Sequence, residues 1–418
     1  MKLFSGTIAG MKSGLSLLLL LLILLLLPSG CDLINKDDPS PENKTLISYE
    51  QLTVIPIGTS ILDILLSAYS PFSDQVVQNF TSYSVSVYKV IYKTTYRGVE
   101  QRASGVCIIP ETGGTTVPIA SYQHGTIFSD AEAPSSFNGI TNASVEIMLN
   151  LVFASCGFIC SVPDYIGFNE SGDVLHPYHL YEPTADACID MLRAVRELCA
   201  ELNVPYQEKY FLFGYSEGGY ATLATLKKIQ ASYMADFPIT ACCAGAGAYD
   251  LPTTISYYLN RSSLPGPAFM GFMFASYNYV YGWSRLGEIF KSPYSERIAG
   301  GLYDGSHDGD YINGQLTSLT ADLFQAAFLN GFRGAGEQTV KNAFWENSLY
   351  QGWFPQAPTR LYHGTADDIV PVSNSATADQ AFRNSGATAI QYFPLAGLNH
   401  STAIVPYVKE TIVWFKGF

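Results

Sequence analysis

The sequence is poor in charge, and poorest in positive charge. Only 14% of its 418 residues are charged, and 36 acids against 23 bases leave a net charge of −13. So acidic a body offers no electrostatic footing for nucleic acid or for an anionic membrane surface. Zinc ligation is missing as well, because no spacing among the eight cysteines matches a zinc site. With Cys31 set aside, Cys107, Cys156, Cys160, Cys188, Cys199, Cys242 and Cys243 remain, mostly in apolar runs where a thiol behaves as a small hydrophobe. Cys188 and Cys199 stand on one predicted helix about 16 Å apart, too far to bridge. An exported chain could hold one disulfide, but no pair is singled out. The leucine run from Leu15 to Leu27 falls short of the roughly 20 residues a comfortable membrane span needs. What is abundant is hydrophobic surface, at 48% of residues, enough for one large domain or two smaller ones.

Residues 1–30 read as a signal peptide, with Lys2 and Lys12 as the positive start and the leucine run as its apolar centre. Pro28-Ser29-Gly30-Cys31 resembles a bacterial lipobox, although Leu27 stands one place further out than usual and Pro28 takes its position. The resemblance implies that Cys31 is lipidated, that residues 31–47 are a tether, and that a lipid anchor is the chain's only hold on a membrane. Lys36-Asp37-Asp38 looks like the surface-export signal of Bacteroidetes lipoproteins. The expected location is therefore the outer membrane or cell surface, or a periplasm-facing position.

After the tether, Ile61-Leu62-Asp63-Ile64-Leu65-Leu66 predicts a helix packed on the body. Thr81–Lys93 and Glu100–Ile109 alternate as strands around a turn at Thr94–Gly98, an antiparallel hairpin. From Val117 the pattern changes to apolar strands alternating with amphipathic helices. The strands are Val117–Tyr122, Gly157–Val162, Tyr210–Phe213, Ile239–Ala244, Thr359–His363 and Ala389–Phe393. The longest helix, Ala185–Leu202, repeats apolar residues at three- and four-residue steps. This alternation predicts a mostly parallel sheet with helices on both faces, and the front hairpin makes it mixed. Leu251–Pro358 interrupts it, with 21 Phe, Tyr or Trp residues and too great a length for a loop. It reads as an inserted cap or lid between two parts of a core, 48–250 and 359–418. Tyr277–Trp283 and Trp353-Phe354 are candidates either for an apolar pocket or for the cap's own core.

The most informative stretch is Gly214-Tyr215-Ser216-Glu217-Gly218-Gly219, between a strand and a helix. G-x-S-x-G in that context is a nucleophile elbow, where a tight turn exposes a serine hydroxyl and Gly214 and Gly218 let strand and helix cross closely. A serine needs a base, and the base an orienting acid, in the chain order Ser, Asp or Glu, His. His363-Gly364-Thr365-Ala366-Asp367 puts an acid just past a strand tip, with Asp368 as the fallback, and His363 reads as structural. His400 is the one histidine after Asp367 and opens the final helix. A tetrahedral oxyanion needs two N–H donors, here Glu217 and either Gly125 or Thr126 after Gln123-His124. Asp164-Tyr165 shapes the pocket edge or simply makes a turn. Asp304-Gly305-Ser306-His307-Asp308-Gly309-Asp310 partly echoes a calcium loop, but Gln315 stands where glutamate is required, so a solvated turn is expected.

Tyr122–Thr126, Pro163–Phe168, Gly214–Gly219, Asp367 and His400, in that order over about residues 80–418, resemble the secretory lipase family, Candida lipase A type. The resemblance implies an α/β-hydrolase fold, a small-molecule ester as substrate and carboxylic-ester hydrolysis under an aromatic-rich lid. No cofactor or metal is expected. Acyl length stays open, and acetyl or feruloyl esters of polysaccharides suit the chain as well as lipid esters. A prolyl-oligopeptidase-type peptidase would usually carry a β-propeller, for which the front of the chain is too short. An acyltransferase would share the acyl-enzyme and reveal itself with added alcohols. A non-catalytic binding protein would fail to react with a serine probe.

Overall fold

A computed structural model describes residues 44–56, 82–139 and 143–418. The signal peptide, Cys31 and the helix expected around Ile61–Leu66 lie outside the described residues. The body from Lys44 to Phe418 forms one compact unit around a nine-stranded sheet of order β1-β2-β3-β5-β4-β6-β7-β8-β9. The strands are β1 (Leu46–Ile55), β2 (Val85–Tyr96), β3 (Val99–Pro110), β4 (Val117–Gln123), β5 (Ile159–Pro163), β6 (Tyr206–Tyr215), β7 (Ile239–Gly245), β8 (Thr359–Gly364) and β9 (Ile390–Leu395). Pairs from β1 to β3, and β3 with β5, are antiparallel. The six strands β5-β4-β6-β7-β8-β9 run parallel. The α/β-hydrolase fold is thus as expected, with the hairpin turn at Arg97-Gly98, both at positive φ.

β1 is the departure. The expected tether runs to residue 47 and no strand is expected before Thr81, yet Leu46–Ile55 extends the sheet. The reason is visible in its burial: Leu46 and Ile55 alone are buried, and the residues between are exposed or half-exposed. An edge strand with so little core contact lacks the two-residue alternation that marks a strand.

Inside the sheet, successive side chains serve opposite faces. On β6, Tyr210 and Leu212 join one core cluster, while Phe211, Phe213 and Tyr215 join the other. Helices α1 (Val145–Ser155), α2 (Tyr181–Glu201) and α3 (Glu217–Ser232) follow β4, β5 and β6. The first cluster includes α2 and α3, and the second includes α1. Between β7 and β8 the chain is helical, beginning with α4 (Leu251–Leu259) and α5 (Pro267–Val280) and ending with Gln338–Glu346. Helices α6 (Ser373–Asn384) and α7 (His400–Phe415) complete the two layers. Four segments that leave the C-terminal ends of β4, β6, β8 and β9 therefore converge on one edge of the sheet, where open parallel sheets hold their ligands.

Candidate active site

The elbow is built as tightly as its glycines imply. Ser216 adopts φ 61° and ψ −123°, a conformation unfavourable for a residue with a Cβ. Its N–H donates to the Gly245 carbonyl at 2.9 Å, and its own carbonyl accepts from Gly219 and Tyr220 at 3.0 and 3.2 Å. A Cβ on Gly218 would stand 1.9 Å from the Gln123 carbonyl oxygen, and one on Gly214 would stand 2.4 Å from the Gly218 oxygen. The crossing of β6 and α3 beside β4 has room for hydrogen only. Tyr407 of α7 braces it: its hydroxyl accepts from the Gly214 N–H at 2.8 Å and lies 2.9 and 2.8 Å from the Gly214 and Cys243 carbonyls.

His400 is the first residue of α7, capped by Asn399, whose side chain accepts from the Thr402 N–H at 2.9 Å. Tyr215 donates its hydroxyl to the His400 carbonyl at 2.8 Å and so ties the helix start to the elbow strand. The ring then spans the gap. Its Nε2 lies 2.9 Å from Ser216 Oγ and its Nδ1 2.7 Å from Asp367 Oδ2. The Asp367 side chain is buried, and its second oxygen accepts the N–H groups of Ile369 and Val370 at 2.9 and 2.8 Å. Asp368, the fallback, meets only the backbone N–H of His400 among the described residues, at 3.5 Å. His363 does more than end its strand: its Nε2 lies 3.0 Å from the Val370 carbonyl and 3.2 Å from Asp367 Oδ2.

Burial alone would raise the Asp367 carboxyl, but hydrogen bonds from His363 and His400 outweigh it and hold the group well below the ordinary carboxylate range. A carboxylate more acidic in the folded than in the unfolded chain stabilises the fold above its unfolded pKa of about 3.9, and that contribution is lost as pH falls toward the folded value. The expected result is that urea midpoints measured from pH 6 down to pH 3 fall more steeply for the wild type than for Asp367→Asn. Parallel curves would show that Asp367 is not the group being titrated.

Of the two candidates for the second oxyanion donor, Gly125 is already engaged. Its N–H donates to Glu146 Oε1 at 3.2 Å, and Glu146 also accepts the Tyr122 hydroxyl. Thr126 instead lines a small cavity shared with Ser216 and Glu217. Glu217 is the first residue of α3, so its N–H has no carbonyl within the helix to reach. The Glu217 side chain points into the protein, 2% exposed, with Oε1 2.8 Å from His176 Nε2. His176 Nδ1 lies 2.6 Å from the Ile166 carbonyl. Burial raises the Glu217 carboxyl, but the attraction and hydrogen bond of His176, together with the attraction of His179 and His124, outweigh it and the net shift is downward. Glu146 and His176 carry no local signal in the sequence. A glutamate inside an elbow signals that a buried partner is needed, but nothing local says that the partner stands 41 residues away.

Other expectations resolve plainly. Asp164 is fully buried and accepts from Ser104 Oγ at 2.6 Å, Ser135 N–H at 2.8 Å and Ser135 Oγ at 2.5 Å, so it fastens the turn after β5 to its neighbours. Tyr165, at φ 68°, donates to the His124 carbonyl at 3.0 Å. All seven described cysteines are free and buried. Asp304 binds the N–H of Ser306 at 3.0 Å, and Asp308 caps the short helix Gly309–Gln315, which accounts for that acidic turn. Tyr277 and Trp283 belong to the core of the inserted segment, with the Tyr277 and Phe344 ring centres 4.5 Å apart. Trp353 packs on Phe382. The residues of α5 that reach the cavity beside Ser216 are Phe269, Met270 and Met273. One helix serves two surfaces, and its aromatic count does not say which side faces the site.

Comparison with known proteins agrees with this fold. The profile of the secretory lipase family matches residues 131–284 and 314–417. Lipase 1 of Candida albicans is 21% identical over 281 residues, covering 65% of this chain, and the chain spans 57% of that relative's length. Among solved structures, a protein from Legionella pneumophila is 30% identical with a TM-score of 0.81, covering 90% of this chain and 98% of that one. The rice cell wall degrading esterase LipA from Xanthomonas oryzae is 24% identical with a TM-score of 0.77, covering 89% and 97%.

Proposed function

This chain belongs to the secretory lipase family, and we propose that it is a serine carboxylic-ester hydrolase working through Ser216, His400 and Asp367. The observation that carries this reading is the position of His400, one ring nitrogen 2.9 Å from Ser216 Oγ and the other 2.7 Å from Asp367. Ser216 attacks the ester carbonyl while His400 Nε2 takes its proton. Asp367 holds the other nitrogen protonated and stabilises the imidazolium. The oxyanion rests on the N–H groups of Glu217 and Thr126, the Gly125 N–H being committed to Glu146. His400 returns the proton to the departing alcohol, leaving an acyl-enzyme on Ser216. Water then enters, gives its proton to His400 and releases the acid by the reverse route.

Residues 251–358 act as a cap in this reading, which Phe269, Met270 and Met273 beside Ser216 support. Residues 1–30 direct export, and Cys31 carries the lipid that anchors the body through a tether. The secretory character of the family supports export, and no described helix is long and apolar enough to cross a membrane. The test is a series of p-nitrophenyl esters from C2 to C16, with a fluorophosphonate probe alongside. Hydrolysis at one or more chain lengths, with the probe's mass on the peptide containing Ser216, is expected. An unlabelled serine in an inert protein would sink the reading.

A further inference from the structure

Six histidines occur in the sequence, and five of them, all except His307, lie at or around the site. Four of these engage both ring nitrogens. His400 and His176 do so as described, His363 adds Ser375 Oγ at 2.8 Å, and His124 meets the Gly125 and Asp164 carbonyls at 2.7 and 3.2 Å. His179 differs. It is 5% exposed, yet its Nδ1 has no hydrogen-bond partner among the described residues. A buried nitrogen left alone is costly, on the order of 1–3 kcal/mol, and such a group needs a reason.

His179 lines the cavity that also holds Ser216, Glu217 and Thr126. Among that cavity's lining residues it supplies the one buried side-chain nitrogen or oxygen without a partner. Much of the remaining wall is apolar, from Phe269, Met270, Met273, Ile369 and Val370. The backbone holds the ring there against its own preference. His179 has φ 55°, a left-handed conformation that costs energy for a residue with a Cβ. Three contacts with α5 enforce it. Tyr277 donates to the His179 carbonyl at 2.9 Å, while Ser276 Oγ accepts the Tyr178 N–H and donates to the His176 carbonyl, each at 2.9 Å. A strained residue fixed from outside, with an unsatisfied ring nitrogen, on the wall of a largely apolar pocket beside Ser216 has the form of a ligand-reading group.

We infer that His179 selects the substrate's acyl part by a hydrogen bond to a hydroxyl close to the ester carbonyl, so that the preferred substrates are short hydroxyacyl esters. This rests on the hydrolase reading above. The acyl side is indicated because the cavity contains the residues assigned to the oxyanion but not His400, which serves the leaving alcohol. Shortness follows from size: the cavity volume of about 30 Å³ is only two to three times the roughly 10–15 Å³ that a single water requires. A hydroxyl is indicated because it can donate or accept and so satisfies either tautomer of the ring. Burial brings the imidazole down to about 4, so at neutral pH the ring is uncharged and gives no preference for an anionic substituent.

The experiment compares p-nitrophenyl butyrate with p-nitrophenyl 3-hydroxybutyrate, each kcat/KM divided by the ester's alkaline hydrolysis rate. The wild type is expected to favour the hydroxy ester by about 10-fold or more, the scale of one well-placed hydrogen bond. His179→Phe keeps a ring but no nitrogen and should bring the ratio to about 1. His179→Asn tolerates the left-handed backbone better and guards against a variant that misfolds; its ratio should fall as well. A wild type that cleaves both esters equally, or variants that keep the wild-type ratio, overturns the assignment and leaves the hydrolase reading standing. A wild type inert toward both overturns the assignment, and the hydrolase reading falls with it only if the C2 to C16 series and the fluorophosphonate probe fail as well.

Discussion

Alanine at Ser216 will lower kcat toward p-nitrophenyl esters by about 10⁶-fold, the loss typical when the nucleophile of such a unit is removed. The effect is this large because no other group can take over. Asp367 is occupied by His363, His400 and two backbone N–H groups. Glu217 turns away from the cavity to His176. What survives is the residue left by oxyanion binding alone, roughly 10³-fold over water. Rates should be taken on enzyme whose fold has been checked by circular dichroism, and a variant that retains more than a few per cent of activity would show that Ser216 is not the nucleophile.

The second large effect falls on folding. Gly218→Ala would put its methyl group 1.9 Å from the Gln123 carbonyl oxygen and 2.7 Å from the carbonyl carbon, both backbone atoms of a central strand. A side chain could swing aside, but β4 cannot. Relief requires α3 to lift from the sheet, which opens the packing of Leu223, Ala224 and Leu226, all fully buried. A loss of more than about 4 kcal/mol is expected, among the exceptional single-residue effects, and the variant should be recovered largely insoluble. Gly287→Ala is the control, since a Cβ there meets nothing within 4 Å, and its urea midpoint should barely move. A Gly218→Ala protein as stable as this control would mean that the crossing is looser than its geometry says.

How much could be read from the residues alone follows from the range of each interaction. The elbow was legible because strand, turn and helix are contiguous and the demand for glycine is steric. Asp367 and His400 were legible because each follows a strand tip in a set chain order. Legibility ended where a partner is remote. Glu146 meets Gly125 across 21 residues, and His363 reads as a strand-end residue until the turn to Asp367 is folded. The choice between Gly125 and Thr126 depends on where one N–H points, which sequence does not encode locally. The aromatic residues of the insertion stayed undecided between core and pocket for a related reason. Tyr277 and Met273 sit one turn apart on α5, but the aromatic one serves the insertion's core and the methionine faces the site.

The bracing of the elbow by α7 also sets a timetable. Ser216 waits 184 residues for His400 and Gly214 waits 193 for Tyr407. At about 5–20 residues per second of synthesis, a growing chain exposes the serine for roughly 10–40 s before its base exists. Until then no proton acceptor stands beside the hydroxyl, and the turn that strains it lacks its lock. On the proposed mechanism, a chain wired in this order stays silent while it is being made, and becomes active only when a helix encoded far downstream docks.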